Sequence, residues 1–433
     1  MSADRQIHLN LFLRPQGDSS GAWRHPSSRI DRLLDPAYPI ELARRAEEAC
    51  FDALFLADGL ALGQDSENAR LLWVHEPLTL LSAIAARTSH IGLVTTLSTT
   101  YTEPFNAARL LAGLDRVSGG RAGWNIVTGA HKEAAANFGA APFPEHDARY
   151  ERAAEFVDVV QKLWDGWPAD AFVPDPVSGT LVDVDRIRPA DHVGPHFSVR
   201  GPAVGPGPAG GRPLLLQAGT SPRGIDFGGR YADAVFTGMT GVDEAAGQAA
   251  RIRDAAVRNG RTRDAVTVLP VLSPYLGRTR AEARENQDGV DALRDPATVY
   301  RFMWEFFGVD VSGIGIDEVV EQSRLPEPSQ VAGLRSRYAG IRDLVGRRPT
   351  TLRRIGSWLD GTDHTVVGTP DDVVELMVRY VEAGAADGFT VIPPYYEEQF
   401  DLFVAEVIPR LQDRGLFRRC YTETDLRTRF GAR

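Results

Sequence analysis

Short apolar runs alternate along the chain with longer segments whose apolar residues recur at helical spacing. The apolar runs cover residues 7–13, 52–58, 90–96, 122–128, 213–219, 233–238, 265–273 and 388–394. The helical patterns after the first four runs cover residues 38–50, 76–88, 105–117 and 149–164. Alternation of strand and helix predicts a parallel sheet with helices outside it. Eight such units can close into a barrel.

An open, doubly wound sheet is the structural alternative. Folds of that kind usually carry a G-x-G-x-x-G fingerprint after the first strand. Here the first strand leads into "LRPQGDSSGAWRHP" (residues 13–26), which lacks that spacing. We therefore predict an α/β fold, a (β/α)8 TIM barrel with insertions, formed as one domain over residues 1–433.

Two segments interrupt the alternation. Residues 166–212 are rich in Pro and Gly, which predicts a hairpin excursion and not a helix. Residues 276–365 contain helical patterns beyond the one helix that a barrel needs at that point. Insertions of this kind often act as lids over barrel sites, and we expect that role here.

Net charge, cysteine content and apolar run length indicate which partners and which cellular location to expect. With 48 Lys and Arg against 58 Asp and Glu, the net charge of −10 argues against a nucleic acid or an anionic membrane as partner. Two cysteines do not make a secreted disulfide framework. The N-terminal segment has no signal-peptide h-region, and no run of about 18 apolar residues occurs. These features predict a cytoplasmic protein.

The residues at the predicted strand ends are mostly hydroxyls and amides. In a parallel barrel these ends form the active-site face. They suit a large neutral heterocycle better than they suit hydrolysis. For Asn125, in the centre of an apolar run, a ligand contact and a hydrogen bond within a barrel layer are both open. The candidates that this pattern supplies are Asp58, Thr95, Thr96, Asn125, Thr128, Thr220 and Ser221.

The segment "QAGTSPRG" (217–224) predicts a strand end, a turn and a helix start. Ser221 suits the N-cap position and Pro222 the first helical position. Free N–H groups at a helix start can bind phosphate, although an ordinary capped helix explains the pattern as well. His146 and Tyr150 are four residues apart and share a helix face. They could hold a phosphate or a ring, or be a surface His and a packed Tyr.

Other chemistries have little support in the sequence. "HVGPH" (192–196) lies on a Pro/Gly segment where helical metal-ligand geometry does not form. The sequence contains no G-x-S-x-G, P-loop or Cys-x-x-Cys motif.

Several segments together resemble one known family. They are "EPLTLLSAIAARTSHIGLVTTLSTTYTEPFNAAR", "LDRVSGGRAGWNIVTG", "RYERAAEFVDVVQKLWDGW", "HVGPHFSVRGP", "RPLLLQAGTSPRG" and "GLFRRCYTETDLRTRFG". They are similar to the nitrilotriacetate monooxygenase component A family of bacterial luciferase-like, flavin-dependent monooxygenases. Relatives in this family include sulfone, EDTA and long-chain alkane monooxygenases.

The resemblance implies reduced FMN (FMNH2) as co-substrate. Flavin contacts would come from Asp58, Thr95 or Thr96, His146, Tyr150 and Ser221. The phosphate would lie at Thr220, Ser221 and Tyr150. Asn125 and His146 would fix the ring and are the implied catalytic residues.

The resemblance also implies a reaction and partners. A separate NAD(P)H:FMN reductase would supply FMNH2, and O2 would add at C4a or N5 of the flavin. The resulting flavin peroxide would oxygenate a small-molecule substrate. The chain would form a homodimer or homotetramer. Two alternatives stay open: an F420-dependent barrel oxidoreductase, and a flavin-binding protein without oxygenase turnover.

One residue departs from the family pattern. Relatives often carry a His in the loop after the first strand, where this chain has Ser19 in "GDSSGAWRHP". If that His handles the substrate or the flavin peroxide in relatives, Ser19 changes the chemistry, so the resemblance does not identify the substrate.

Overall fold

The computed structural model describes residues 6–61, 74–129, 133–139, 144–331, 335–359 and 365–432. In chain order the strands are β1 (His8–Phe12), β2 (Ala53–Leu56), β3 (Gly92–Ser98), β4 (Ala122–Val127), β5 (Phe172–Asp175), β6 (Thr180–Val182), β7 (His192–Val193), β8 (Ser198–Val199), β9 (Leu214–Gln217), β10 (Ala234–Thr237), β11 (Thr267–Leu276), β12 (Thr365–Gly368) and β13 (Gly388–Val391).

Eight of these strands form a closed parallel barrel. Their order is β10-β9-β4-β3-β2-β1-β13-β11, and the pairing of β10 with β11 closes the sheet. Each barrel strand coincides with one of the apolar runs, so the predicted (β/α)8 barrel is confirmed. The short strand β12 was not predicted; it pairs with the C-terminal end of β11, outside the barrel order.

The helices cover the outside of the barrel or belong to the connections. In chain order they are α1 (Ala37–Glu48), α2 (Pro77–Ala85), α3 (Pro104–Ser118), α4 (Glu133–Asn137), α5 (His146–Asp165), α6 (Pro222–Tyr231), α7 (Val242–Arg258), α8 (Arg280–Ala292), α9 (Pro296–Phe307), α10 (Arg335–Arg347), α11 (Leu352–Leu359), α12 (Pro370–Glu382), α13 (Ile408–Asp413) and α14 (Leu426–Arg429). None of the described helices is both long and apolar enough to cross a bilayer.

The two faces of each barrel strand bury different side chains, because successive residues point to opposite faces. On β4, Trp124 and Ile126 pack outward against the helices. Inside the barrel, Phe55, Val94 and Leu216 belong to a separate apolar cluster.

The C-terminal segment closes the bottom of the barrel. Leu426 and Phe430 join the interior cluster from below. A Cβ on Gly92 would lie 2.4 Å from the Leu426 side chain, so glycine makes room for this plug. Full burial of two such side chains contributes about 1.5–3 kcal/mol each.

A buried ion pair fixes the same segment to the start of β2. Asp52 is fully buried, and its carboxylate accepts from Arg418 Nη2 at 2.7 Å and from the Leu9 N–H at 2.7 Å. His8 Nδ1 lies 3.0 Å from the same carboxylate. Burial alone would raise the pKa of Asp52, but Arg418 and His8 outweigh it and hold that pKa well below its usual range.

The Pro- and Gly-rich segment 166–212 forms two small antiparallel hairpins, β5–β6 and β7–β8. Glu155 on α5 holds the second hairpin, since its carboxylate contacts His192 Nε2 at 2.9 Å and accepts from the Phe197 N–H at 2.9 Å. Helices α9 to α11 bury a separate apolar cluster that includes Met303, Tyr338 and Ile355. In chain order this helical segment lies between α8 and β12.

Candidate active site

A cleft of about 280 Å³ opens at the C-terminal ends of β2, β3, β4 and β9. This is the end of a parallel barrel where active sites form. The residues that line it are Asp58, Gly59, Leu60, Thr96, Ser98, Tyr101, Ile126, Val127, Thr128, Gly129, Ala134, Tyr150, Gln217, Ala218 and Gly219. They come from several predicted strand ends, so the structure brings together residues that are distant in sequence.

Asp58 follows β2 and is the one acid among the lining residues. Its carboxylate accepts the Gly59 N–H at 2.9 Å. Burial raises the pKa of Asp58, and this effect outweighs the hydrogen bond from Gly59, which lowers it. A half-buried carboxylate with one protein donor can still accept hydrogen bonds from a ligand.

Thr96 and Asn125 lie opposite each other on β3 and β4, and Asn125 Nδ2 donates to Thr96 Oγ1 at 2.9 Å. Thr96 lines the cleft, whereas Asn125 lies beneath it at 3% exposure. Asn125 Oδ1 has no hydrogen-bond partner among the described residues. Thus the amide in the apolar run faces the polar end of the barrel.

Thr95 and Thr96 were equal candidates in the sequence. The structure distinguishes them, because successive residues of a strand point to opposite faces of the sheet. Thr95 shares a strand face with Leu93 and Leu97, which pack toward the helices. It is fully buried and is not among the residues that line the cleft. Only Thr96 has a position from which it can touch a ligand there.

At the opposite end of the cleft, two groups approach too closely for a side chain on Gly219. A Cβ on Gly219 would lie 2.2 Å from Gln217 Nε2 and 2.4 Å from the Tyr150 hydroxyl. A Cβ on Gly224 would lie 2.9 Å from the same hydroxyl. The Tyr150 hydroxyl therefore sits against the first turn of α6. Its burial raises the pKa of Tyr150, so the phenol stays protonated and can donate.

Ser221 caps this helix as predicted, and its Oγ accepts the Gly224 N–H at 3.1 Å. His146 is the first residue of α5, and its Nε2 lies 3.4 Å from Ser221 Oγ. The backbone N–H groups of Thr220, Ser221 and Arg223 donate to no atom among the described residues. Free donors at a helix start form an anion site. The side chain of Thr220 is exposed and does not line the cleft.

Tyr101 and Gln217 are among the lining residues that the sequence analysis missed. Tyr101 follows β3, stacks on Phe138 with ring centroids 4.7 Å apart, and has a buried hydroxyl with no partner among the described residues. Gln217 ends β9 at 3% exposure. The signal for Gln217 was similar to that for Asn125: a polar amide within or at the end of an apolar run.

Ser19, the residue that departs from the family pattern, lies outside the cleft lining. It is 7% exposed in the loop after β1, where its hydroxyl faces the Tyr275 side chain. No group of three or more His, Cys, Asp or Glu side chains among the described residues could hold a metal ion.

The cleft thus has one end with free backbone N–H groups at the start of α6, and a polar end at β2 to β4 whose one acid is Asp58. Residues 15–387 match the luciferase-like monooxygenase family. The chain belongs to this family. The resemblance inferred from the sequence is thereby confirmed.

Luciferase-like relatives align over almost the whole chain. N-acetyl-S-(2-succino)cysteine monooxygenase from Bacillus subtilis (strain 168) is 36% identical and covers 99% of this chain and 97% of its own. Nitrilotriacetate monooxygenase component A from Aminobacter aminovorans is 36% identical and covers 100% and 97%. The crystal structure of a riboflavin lyase with modified FMN and riboflavin gives a TM-score of 0.83 at 31% identity, covering 98% and 96%.

These findings identify the chain as a flavin-dependent monooxygenase of the luciferase-like family and favour that function over the F420-dependent alternative. The roles of individual residues in the luciferase-like site stay predictions. The structure brings Asp58, Thr96, Tyr150 and Ser221 to the cleft or its rim, with His146 and Asn125 one contact away.

Proposed function

We propose that this chain binds reduced FMN in the cleft and uses O2 to oxygenate a small organic substrate. The observation that carries the proposal is the contrast between the two ends of the cleft. A dianionic phosphate suits the free N–H groups at the start of α6, and an extended heterocycle suits the wall at β2 to β4, which combines apolar and polar groups with Asp58 as its one acid. The structure of the related riboflavin lyase, which holds a modified FMN, supports the same cofactor.

At the end of the cleft proposed for the phosphate, the fit depends on the absence of a side chain at Gly219. Because Gly219 has no side chain, the Tyr150 hydroxyl and the α6 N–H groups can face one anion. Ser221 uses its oxygen to cap the helix, so its own proton is available to the phosphate. His146, at the rim beside Ser221, would add a further donor.

At the end of the cleft proposed for the flavin ring, the fit depends on polar side chains that can form further hydrogen bonds with a ligand. Asp58 would accept from ligand N–H or O–H groups, while Thr96, braced by Asn125, would fix the ring plane. When bound, reduced FMN supplies the electrons that activate O2. The protein must exclude water from this end, and the side chains of Leu60, Ile126 and Val127 are suited to that.

A separate NAD(P)H:FMN reductase would supply the reduced flavin. The first strand is not followed by a dinucleotide fingerprint, and one relative is itself named "component A" of its monooxygenase. We further propose a cytoplasmic homodimer or homotetramer that acts on a small molecule. Residues 276–365, which hold the helical segment, remain our candidate for the lid.

The test is an anaerobic titration of the protein with photoreduced FMN, with oxidised FMN and F420 as comparison ligands. We expect reduced FMN to bind more tightly than oxidised FMN. After mixing with O2, the bound flavin should be oxidised more slowly than free reduced FMN. Binding of F420 alone would contradict the proposal. Tight flavin binding without oxygenation of any substrate screened would favour a flavin-binding protein without turnover.

The two adjacent threonines give a matched pair of variants. Thr96→Val should weaken binding of reduced FMN about three- to tenfold, because it removes a ligand contact and leaves the Asn125 amide without its acceptor. Thr95→Val should leave binding unchanged, because Thr95 points toward the helices. Equilibrium titration of both variants measures this difference. Equal losses in the two variants would contradict the assignment of Thr96 to the ligand face.

A further inference from the structure

Helix α4 lies at the end of the cleft that is proposed for the flavin ring. It follows β4 along the chain, and Ala134 on this helix lines the cleft together with residues that follow β2 and β3. Among the described residues, none of those that line the cleft lies in 276–365. The segment proposed as a lid therefore leaves this end of the cleft to α4, which the proposed function has not used.

Asn137, the last residue of α4, ties the helix to the loop after β2. Its Nδ2 donates to the Leu60 carbonyl at 2.8 Å, and Leu60 lines the cleft. In the barrel β3 lies between β2 and β4. The strand ends that α4 connects are thus two strand spacings, or about 10 Å, apart. The hydrogen bond of Asn137 therefore closes a bridge from the end of β4 to the loop after β2.

Phe138, the next residue, fastens the same bridge to the loop after β3. Its ring stacks on that of Tyr101, with centroids 4.7 Å apart and ring planes 20° apart. Tyr101 also lines the cleft. Phe138 is 46% exposed, so the stack on Tyr101 places a large apolar ring at the surface beside the cleft. Both neighbouring loops thus hold the end of α4.

The side chains of α4 suit a cover over a flat apolar ligand. Ala134 and Ala135 are buried at 4% and 5% exposure, whereas Asn137 and Phe138 are exposed. The small side chain of Ala134 leaves room in the cleft and brings no polar group that would attract water. A helix of five residues is not stable by itself, so its position depends on the contacts of Asn137 and Phe138.

We propose that α4 and Phe138 form a cover over the flavin ring, and that Asn137 is the positioning residue that fastens this cover to the loop after β2. The cover keeps bulk water and small solutes from the ring, which the oxygen chemistry requires, and slows the release of the flavin. This inference rests on the proposed flavin function and adds the segment that closes the ring end of the site.

The experiment uses oxidised FMN and needs no turnover. It measures the dissociation rate constant of FMN after dilution, and the quenching of bound flavin fluorescence by iodide with protein in excess. In Asn137→Ala we expect the dissociation rate constant to rise about three- to tenfold, because one hydrogen bond that holds the cover is lost. The quenching constant for iodide should rise as well. Loss of a mere ligand contact would speed dissociation but leave iodide access to the bound flavin unchanged.

Phe138 provides a second, independent pair of variants. Phe138→Ala removes the ring stack and should raise both quantities as Asn137→Ala does. Phe138→Tyr keeps the stack, and its hydroxyl has room because Phe138 is half-exposed, so both quantities should equal those of the wild type. Asn259→Ala is the matched control for Asn137→Ala. Its amide donates to the Ala255 carbonyl at 2.9 Å at the end of α7, outside the cleft lining, so FMN should be unaffected.

The outcomes separate this inference from the proposed function. A wild-type chain that binds no FMN would overturn both. A wild-type chain that binds FMN, with unchanged dissociation in Asn137→Ala and Phe138→Ala, would overturn only the cover. Faster dissociation in these variants without greater access of iodide to the bound flavin would also overturn it.

Discussion

Replacing Gly219 with alanine should weaken FMN binding about a hundredfold while the protein still folds. The added Cβ would meet Gln217 Nε2 at 2.2 Å and the Tyr150 hydroxyl at 2.4 Å. Both atoms are far ends of side chains, so they can move aside at a cost of about 1–3 kcal/mol for the overpacking. The displaced Tyr150 hydroxyl would then no longer face the first turn of α6. The measurement is equilibrium titration with oxidised and reduced FMN.

Gly238→Ala is the matched control for this variant. Gly238 follows β10 as Gly219 follows β9, but a Cβ there would meet nothing within 4 Å. FMN binding by Gly238→Ala should equal that of the wild type. If Gly219→Ala also bound FMN normally, the phosphate could not lie beside Tyr150, and the orientation proposed for the ligand would be wrong.

The barrel was predictable because each of its strands is a short apolar run with turn residues at its ends. The residues that line the cleft were only partly predictable from the sequence. The pattern selected Thr95 and Thr96 together, because it does not give the register. The pairing of Thr96 with Asn125 across β3 and β4 decides which of them faces the ligand. That pairing depends on how the two strands align in three dimensions.

Gln217 shows a second reason why the site could not be fully predicted from the sequence. A polar residue in an apolar run predicts a buried hydrogen bond but does not name the partner. The Gln217 amide nitrogen lies beside the Tyr150 hydroxyl, since both approach the Cβ position of Gly219, and Tyr150 on α5 precedes Gln217 by two hairpins of chain. Only the packing of α5 against α6 brings the two together. The strand β12 was missed for a related reason, since a run of three half-buried residues and one buried glycine has no clear periodicity.

Replacing Arg418 with methionine should destabilise the fold by about 3–5 kcal/mol, because it leaves the Asp52 carboxylate buried without its strongest partner. Asp52 is fully buried and accepts from Arg418 Nη2 at 2.7 Å. Arg419→Met is the matched control: Arg419 is 63% exposed and pairs with the exposed Asp413. Loss of such a surface pair changes stability by about 1 kcal/mol or less. Urea denaturation of both variants at neutral pH compares them directly.

The pH dependence of this loss follows from the pKa of Asp52. Arg418 and His8 hold that pKa well below the ordinary value of 3.8. A carboxyl with a lowered folded-state pKa stabilises the protein above its unfolded-state pKa, and this contribution is lost as the pH falls toward the folded-state value. The gap between wild type and Arg418→Met should therefore be full at neutral pH and should narrow as the pH falls toward the folded-state pKa of Asp52 in the wild type. A gap that stayed constant with pH would mean that Arg418 stabilises the C-terminal segment by packing and not through the Asp52 carboxylate.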